Sequence, residues 1–292
     1  MTEPSPTAAP AACSPRPRRR RWLRIATIPL ILGFVVFLDG YARWPTGSAS
    51  GLGQQGVLPA LAAGKTVFRV ATFNIHSGVG GDDNIYNLSR PIEAVRDTDL
   101  CGLNEVRGYI FGAIANQAQA MGEATEHAWL YLPTERRYWH DEFGNALLTR
   151  LAVQDWLRMP LPIEPVHSGR RNVTLARVLF GAHPVNVLIA HIDREQDQAN
   201  QVRFVARLFD SLAAPSLIMA DLNAEGRNPQ IKELLALPDV HDCIAESNAD
   251  NNAAGRIDWI LSRGMKVHGG GHLQNGASDH PIYWVDLEVS PR

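Results

Sequence analysis

The sequence predicts an α/β fold: a four-layer sandwich of two mixed β-sheets flanked by helices, preceded by an N-terminal hydrophobic helix. Two observations carry this prediction. Short apolar strands alternate with helical segments after residue 65, and several strands follow one another with no helix between them. Two packed sheets with helices outside bury the apolar faces of such a mixture. Because there is no internal repeat and no second change in composition, we expect one domain over residues 66–292.

The predicted elements follow from local patterns. Val67–Phe73 alternates in polarity up to Asn74, as a strand does. Leu88–Thr98 has helical spacing with Pro91 near its first turn, and Glu195–Leu212 places its apolar residues on one helical face. A third helix is predicted over Ile110–Met121, and further strands over Leu100–Asn104, Ala128–Leu132, Ala146–Thr149, Val173–Phe180, Val185–Ile189, Ser216–Met219, Ile257–Leu261 and Ile282–Val289.

The N-terminal region has the composition of a targeting segment. Residues 1–21 form a Pro-, Ala- and Arg-rich stretch that we expect to be a disordered basic tail in the cytoplasm. Residues 22–44 contain an uncharged apolar run, which predicts a membrane anchor or an export signal resembling the twin-arginine type. The third alternative is a helix buried in a cytosolic protein. Residues 45–65 are rich in Gly, Ser and Ala and predict a linker.

An anchor or export signal sets the location of the domain. Arginines before an apolar segment stay in the cytoplasm, so the rest of the chain is expected outside it, in the periplasm or on the cell surface if the source is bacterial. The membrane is then a partner through the N-terminal segment.

The charge distribution weighs against bulk nucleic-acid binding. The chain has a net charge of −2, but residues 1–65 hold eight basic and two acidic residues, which leaves 20 basic and 28 acidic residues in the domain. Non-specific affinity for duplexes comes from Lys and Arg that neutralise phosphates. Nucleic acid is therefore the less favoured partner.

Polar side chains recur where predicted strands end. Such ends converge at one edge of a sheet, which is how folds of this type build sites. The residues concerned are Asn74, Glu105, His191, Asp221, Asn223, Asp258, Asp279 and His280. Carboxylate and amide oxygens without clustered Cys favour Mg²⁺, with Mn²⁺ as the alternative, and this chemistry suits phosphoester hydrolysis.

Seven short stretches, in this order, resemble the endonuclease/exonuclease/phosphatase superfamily of metal-dependent phosphoesterases. The resemblance covers residues 67–289 and implies the two-sheet sandwich as well. The matching stretches are Thr72–Ile75, Asn104–Val106, Gly144–Arg150, Ala190–Asp193, Ala220–Ala224, Arg256–Ile260 and Ser278–Pro281.

The resemblance implies roles for the metal and for the attacking water. Glu105 resembles the main Mg²⁺ carboxylate, with Asn74 beside it and Asp279 able to join the metal shell. Asp221 and Asn223 resemble the pair that orients or deprotonates the water and binds the phosphoryl oxygen. Which group is the general base is left open.

The resemblance also implies two imidazoles at the phosphate. His280 resembles the one that contacts the phosphate or acts as base, oriented by Asp258, and His191 the one near the leaving group. Three further residues are candidates for substrate contact: His76, Asn145 and Arg171.

The sequence therefore predicts a Mg²⁺-dependent hydrolase of phosphoesters, a phosphodiesterase or phosphatase, tethered to a membrane and acting on phospholipid-derived or similar substrates. The alternative is an extracytoplasmic nuclease. A family member that has lost catalysis and only binds is disfavoured, because the chemical groups of the motifs are intact.

Overall fold

Two seven-stranded β-sheets pack face to face in the computed structural model, which describes residues 27–37, 44–109, 115–137, 141–164, 170–252 and 254–290. Strands are numbered in chain order. The first sheet has the order β1 (Trp44–Pro45), β5 (Ala128–Arg137), β6 (Asp141–Thr149), β4 (Leu100–Tyr109), β3 (Val67–Asn74), β14 (Ile282–Val289) and β13 (Met265–Leu273). The second sheet has the order β11 (His241–Asp242), β12 (Asp258–Arg263), β10 (Ser216–Asp221), β9 (His183–His191), β8 (Asn172–Phe180), β7 (Val153–Pro160) and β2 (Ala49–Leu52).

Among the described residues, four helices (α2 to α5 in the list that follows) cover the outer faces of the sheets. The helices are α1 (residues 27–37), α2 (Ser89–Val95), α3 (Gln117–Thr125), α4 (Gln198–Ser211), α5 (Pro229–Leu235) and α6 (Cys243–Glu246). Val95 of α2 and Met121 of α3 pack on the first sheet, whereas Val205 of α4 and Ile231 of α5 pack on the second. The four layers and the mixed sheets agree with the predicted fold.

A third apolar layer fills the space between the sheets. Phe68, Val70 and Val285 of the first sheet meet Val187 and Met219 of the second, all fully or almost fully buried. Burying one such side chain stabilises the fold by about 1.5–3 kcal/mol. This inner layer fixes how the two sheets face each other, and therefore how their ends meet.

The predicted membrane segment over residues 22–44 is not supported. Helix α1 covers residues 27–37 of this segment. Within the described ranges, no helix has the length and apolarity that a membrane crossing requires. The remaining residues of the predicted tail and segment, 1–26 and 38–43, lie outside the described residues.

The predicted linker contributes strands to both sheets. Strand β1 pairs antiparallel with β5, and β2 pairs antiparallel with β7. The prediction of a linker over residues 45–65 is wrong for these short strands. Strands of two and four residues are too short to show a period in the sequence, and they are defined by hydrogen bonds to the edges of the sheets.

Each sheet contains a single parallel pair, and these two pairs position the site. In the first sheet Asn74 of β3 lies beside Asn104 of β4. In the second sheet Asp221 of β10 lies beside His191 of β9 and, on its other side, opposite Asp258 of β12. Because the carboxyl ends of parallel strands share an edge, these polar residues gather at one end of the sandwich.

Candidate active site

The candidate active site lies across the seam between the two sheets. The Asn74 Nδ2 atom of the first sheet lies 3.2 Å from Glu105 Oε1 and 3.0 Å from Asp221 Oδ2 of the second sheet. His191 Nε2 lies 3.4 Å from the same Asp221 oxygen, and His280 Nε2 lies 3.9 Å from it. Five of the predicted residues therefore surround one point.

Local backbone geometry directs the Glu105 side chain toward the Asn74 side chain. The pairing of β4 with β6 is interrupted by an irregularity between Leu103 and Val106, and Glu105 has a left-handed backbone with φ of 58°. Bulges of this kind redirect a side chain at the cost of local strain, and they concentrate at functional sites. The Glu105 side chain is partly exposed, whereas Asn74 beside it is buried.

A buried amide chain supports the site from behind. Asn104 Nδ2 donates to Asn145 Oδ1 at 2.9 Å and to the Ala190 carbonyl at 3.0 Å, while Asn104 Oδ1 accepts from the Asp221 amide at 3.2 Å. Asn145 Nδ2 in turn donates to Asn172 Oδ1 at 3.0 Å. Asn145, expected to contact substrate, instead has its amide group engaged within this buried chain and is absent from the cavity wall.

Asp258 holds His280 in one orientation. His280 Nδ1 lies 2.8 Å from Asp258 Oδ2, so we assign the Nδ1 proton to this hydrogen bond and direct Nε2 toward Asp221. Burial opposes the charge on the imidazole, but the hydrogen bond and the negative charge of Asp258 outweigh burial and raise the pKa of His280 to about 9. His280 is therefore a proton donor at neutral pH.

Arg171 holds His191 in the neutral form, in contrast to the charged His280. Its Nη1 atom lies 3.3 Å from His191 Nδ1, and because a guanidinium only donates, Nδ1 accepts and Nε2 carries the proton. Burial and the positive charge of Arg171 lower the pKa of His191 well below its ordinary value. His191 is a neutral donor, and its Nε2–H points to Asp221.

Asp221 is the acceptor at the centre of the site. Burial, with the nearby Asp258 charge adding to it, raises the pKa of the Asp221 carboxyl. Its Oδ1 accepts from the Asn223 backbone N–H at 2.9 Å. The Asn223 side chain donates to the Ile192 carbonyl at 2.9 Å and accepts from Arg194 Nε at 3.2 Å, so it closes this side of the site.

The oxygen donors of the site fit a divalent cation. Asn74, Glu105 and Asp279 were predicted as ligands; Asn74 and Glu105 are in contact, and Glu105 and Asp279 line the same cavity. Asp221, Asp258 and His280 also bring ligand atoms within 4.8 Å of one another. In that second group the His280–Asp258 hydrogen bond already uses two of the donor atoms. The partly exposed Glu105 carboxylate is thus the better ligand for a hard cation that keeps its waters.

A cavity of about 410 Å³ is lined by two of these groups, Glu105 and Asp279. His76, a predicted substrate contact, lies in its wall, with Nδ1 3.7 Å from Asp279 Oδ1. Arg171 lines it too. The remaining wall holds Arg170, a candidate for phosphate binding beside Arg171, and residues that were not predicted as site residues: Ser77, Val79, Arg107, Glu135, Phe143 and Arg194. These arginines lie on loops and on a strand face, where a single sequence gives no periodic signal.

Comparison with known proteins defines the class. Residues 71–280 match the Endonuclease/Exonuclease/phosphatase family, and the chain therefore belongs to this family, whose members hydrolyse phosphoesters. No curated protein sequence matches the chain.

Solved structures share the fold at low identity. An endonuclease/exonuclease/phosphatase from Beutenbergia cavernae is 22% identical, with a TM-score of 0.64 over 77% of this chain and 72% of that one. The human Nocturnin catalytic domain with bound sulfate anion is 12% identical, with a TM-score of 0.60 over 77% and 94%. The Bacteroides thetaiotaomicron mannosyl-6-phosphatase is 16% identical, with a TM-score of 0.58 over 75% and 99%.

Proposed function

We propose that the chain is a Mg²⁺-dependent hydrolase of small phosphoesters, with Mn²⁺ as the alternative ion. The observation that carries this proposal is a series of contacts of 3.9 Å or less that joins Glu105 in the cavity wall to His191, His191 to Asp221, and Asp221 to His280. The cation, held by Glu105 with Asn74 and Asp279 beside it, would supply positive charge to the phosphoryl oxygens.

Each residue of the site has a distinct task in this proposal. Asp221 accepts the proton of the attacking water, because the two imidazoles beside it are both donors and its own carboxyl has a raised pKa. His280 donates from Nε2 to a phosphoryl oxygen, and Asp258 keeps it oriented and charged. His191 donates from Nε2 near the leaving group. Asn223 positions the water and the phosphoryl oxygen.

The shape of the cavity favours a small substrate. A volume of about 410 Å³ lies within the range of small-molecule sites and is lined by charged side chains. A sugar phosphate, of the kind named for the Bacteroides mannosyl-6-phosphatase, is of this size and charge. A phospholipid would enter by its polar headgroup, because Val79 and Phe143 are the apolar side chains in the described wall.

A substrate screen tests the function. The full chain is assayed with Mg²⁺, Mn²⁺ or a chelator on a sugar phosphate, a p-nitrophenyl phosphodiester, phosphatidylinositol vesicles and a DNA duplex. We expect turnover of a small ester that vanishes with the chelator and with Glu105→Gln. Full turnover without metal would overturn the metal assignment, and preferential cleavage of the duplex would support the nuclease alternative.

We also propose that the domain works outside the cytoplasm. The proposal rests on the arginines at positions 18–21 and 24 and on the uncharged run that follows them. A reporter that is active only after export, fused after Arg292, should give a signal, and deletion of residues 1–38 should remove it. A signal from a cytoplasm-specific reporter in the undeleted chain would contradict this location.

A further inference from the structure

Four arginines line the cavity of a chain whose net charge is negative. Arg107, Arg170, Arg171 and Arg194 face it, together with three carboxylates, Glu105, Glu135 and Asp279. A divalent cation at Glu105 and Asp279 would offset two of those carboxylates. The wall would then carry an excess of positive charge beyond what one scissile phosphate at the cation requires.

The four arginines divide into two groups by their contacts. Arg171 donates to His191 and Arg194 donates to Asn223, so both lie against the reacting groups. Arg107 is fixed elsewhere in the wall: its Nε donates to Ser77 Oγ at 3.1 Å, and its guanidinium lies 5.5 Å from the centre of the Phe143 ring. Arg170 makes no hydrogen bond to a catalytic side chain within the described residues.

Arg170 has a buried hydrogen-bond donor without a partner among the described residues. This donor is its Nε atom, and the same holds for Nε of Arg171. A buried donor left without a partner carries a desolvation cost. Guanidinium groups pair best with planar or tetrahedral anions through two parallel N–H bonds, so an anion at this wall would recover that cost.

We propose that Arg107 and Arg170 bind a second phosphate of the substrate, apart from the one that is hydrolysed. The preferred substrate is then a compact phosphoester that carries at least two phosphate groups. This inference rests on the proposed function for the first phosphate. It adds a separate binding site, which distinguishes small phosphoesters by the charge that they carry away from the scissile phosphate.

A matched pair of substrates tests the second site. Glycerol 3-phosphate and glycerol 1,3-bisphosphate differ only in a hydroxyl or a phosphate at the far end. At saturating Mg²⁺ we expect kcat/KM for the bisphosphate to exceed that for the monophosphate by about 10–100-fold, the size of one charge-assisted contact. Arg107→Gln and Arg170→Gln should each lower this ratio about tenfold, mainly through KM. Arg203→Gln on α4, outside the cavity, should leave the ratio as it is.

Two further arms separate the outcomes. Calorimetry with butane-1,4-bisphosphonate and butylphosphonate measures the site without turnover. Tighter binding of the bisphosphonate that is lost in both cavity variants supports the second site, even if no ester is hydrolysed and the proposed function fails. Turnover of both glycerol phosphates at equal kcat/KM, with equal phosphonate affinities, overturns the second site alone. Competition by a short oligothymidylate more than tenfold stronger than by glycerol bisphosphate would assign these arginines to a nucleic-acid backbone instead.

Discussion

The two imidazoles of the site differ in charge because their Nδ1 atoms face opposite partners. Asp258 accepts from Nδ1 of His280, whereas Arg171 donates to Nδ1 of His191. Both arrangements leave a proton on Nε2, and both Nε2 atoms face Asp221. The site therefore presents one cationic donor and one neutral donor around a single acceptor carboxylate, and this division should be visible in the variants.

Removal of either imidazole should lower turnover without removing the metal. We expect His191→Ala and His280→Ala each to reduce kcat by about 10²–10⁴-fold, the usual size of a proton-transfer contribution. The double variant should be less damaged than the product of the singles, because groups that act on one phosphate are not additive. Steady-state kinetics and calorimetric Mg²⁺ affinity check this. Near-full activity of His191→Ala on every substrate would make His191 a core residue.

A third histidine, far from the site, should make stability depend on pH. Burial lowers the pKa of His127 to about 4, where Nε2 donates to the Thr98 carbonyl and Nδ1 faces the Thr125 hydroxyl. Between about pH 6.5 and 4 the unfolded chain binds a proton that the folded chain excludes. The free energy of unfolding should therefore fall by about 1.4 kcal/mol per pH unit as pH drops through this window.

A non-titrating variant isolates that contribution. Urea denaturation of the native chain and of His127→Gln at pH 4.5, 5.5 and 6.5 gives two slopes of unfolding free energy against pH. We expect the slope of the variant to be smaller by about 1.4 kcal/mol per pH unit, which corresponds to one proton. Parallel slopes for the two proteins would show that the pKa of His127 is the same in the folded and the unfolded chain.

At the residue scale, the chemistry at strand ends could be predicted from the sequence, whereas the places of Arg107 and Arg194 in the cavity wall could not. Asp221 and His191 follow apolar strands directly, so their convergence could be predicted from the rule that parallel strand ends share an edge. The location of Arg107 and Arg194 depends on which face of a strand and which loop they occupy once the sheets have packed. Asn145 was expected to contact substrate because it lies in a matching motif. The motif did not reveal that its amide group is bonded to Asn104 and Asn172 in the interior.

At the element scale, strands with an apolar run were predicted well, and strands interrupted by charged residues or glycines were predicted poorly. Ile282–Val289 was predicted with its observed bounds, and the predicted strand at 216–219 lies within β10, because both are apolar runs. Strands β7 and β13 were missed, since one carries charged residues and the other three consecutive glycines. Of the helix expected over 110–121, residues 110–114 lie outside the described residues, and the observed helix α3 begins at Gln117.

One close contact between loops should control the position of His280. A Cβ atom added at Gly81 would lie 2.5 Å from the Ser278 carbonyl oxygen and 2.7 Å from the Asp279 Cα, so the backbone of the loop before β14 would have to move. We expect Gly81→Ala to lower kcat at least about tenfold, because a misplacement near 1 Å costs about 100-fold. Kinetics and a thermal melt measure this.

Gly269 of β13 supplies the matched control. A Cβ atom there meets nothing within 4 Å, so Gly269→Ala should keep native turnover and a native melting temperature. If Gly81→Ala retained native kcat, the loop would have absorbed the clash and the proposed control of His280 by this contact would be wrong.

At the scale of the whole molecule, a bound cation should raise the stability of the fold. Glu105 and Asp221 flank Asn74, and Asp279 lines the same cavity as Glu105, so three carboxylates lie at or beside the candidate metal site. A ligand that binds only the folded state at 100 times its Kd stabilises by about 2.7 kcal/mol. Mg²⁺ should therefore raise Tm in a concentration-dependent way, and Glu105→Gln should abolish the increase. An equal increase in the variant would refute Glu105 as the ligand.

The hydrogen bond from Asn74 to Asp221 crosses from one sheet to the other, as does the bond from Asn104 to the Ala190 carbonyl. Neither sheet alone contains the acceptor, both imidazoles and the cation ligand. During refolding, circular dichroism would record strands that form within either layer, but hydrolysis can return only when the layers have docked in register. The rate at which turnover recovers therefore measures the last step of folding, the docking of the two sheets.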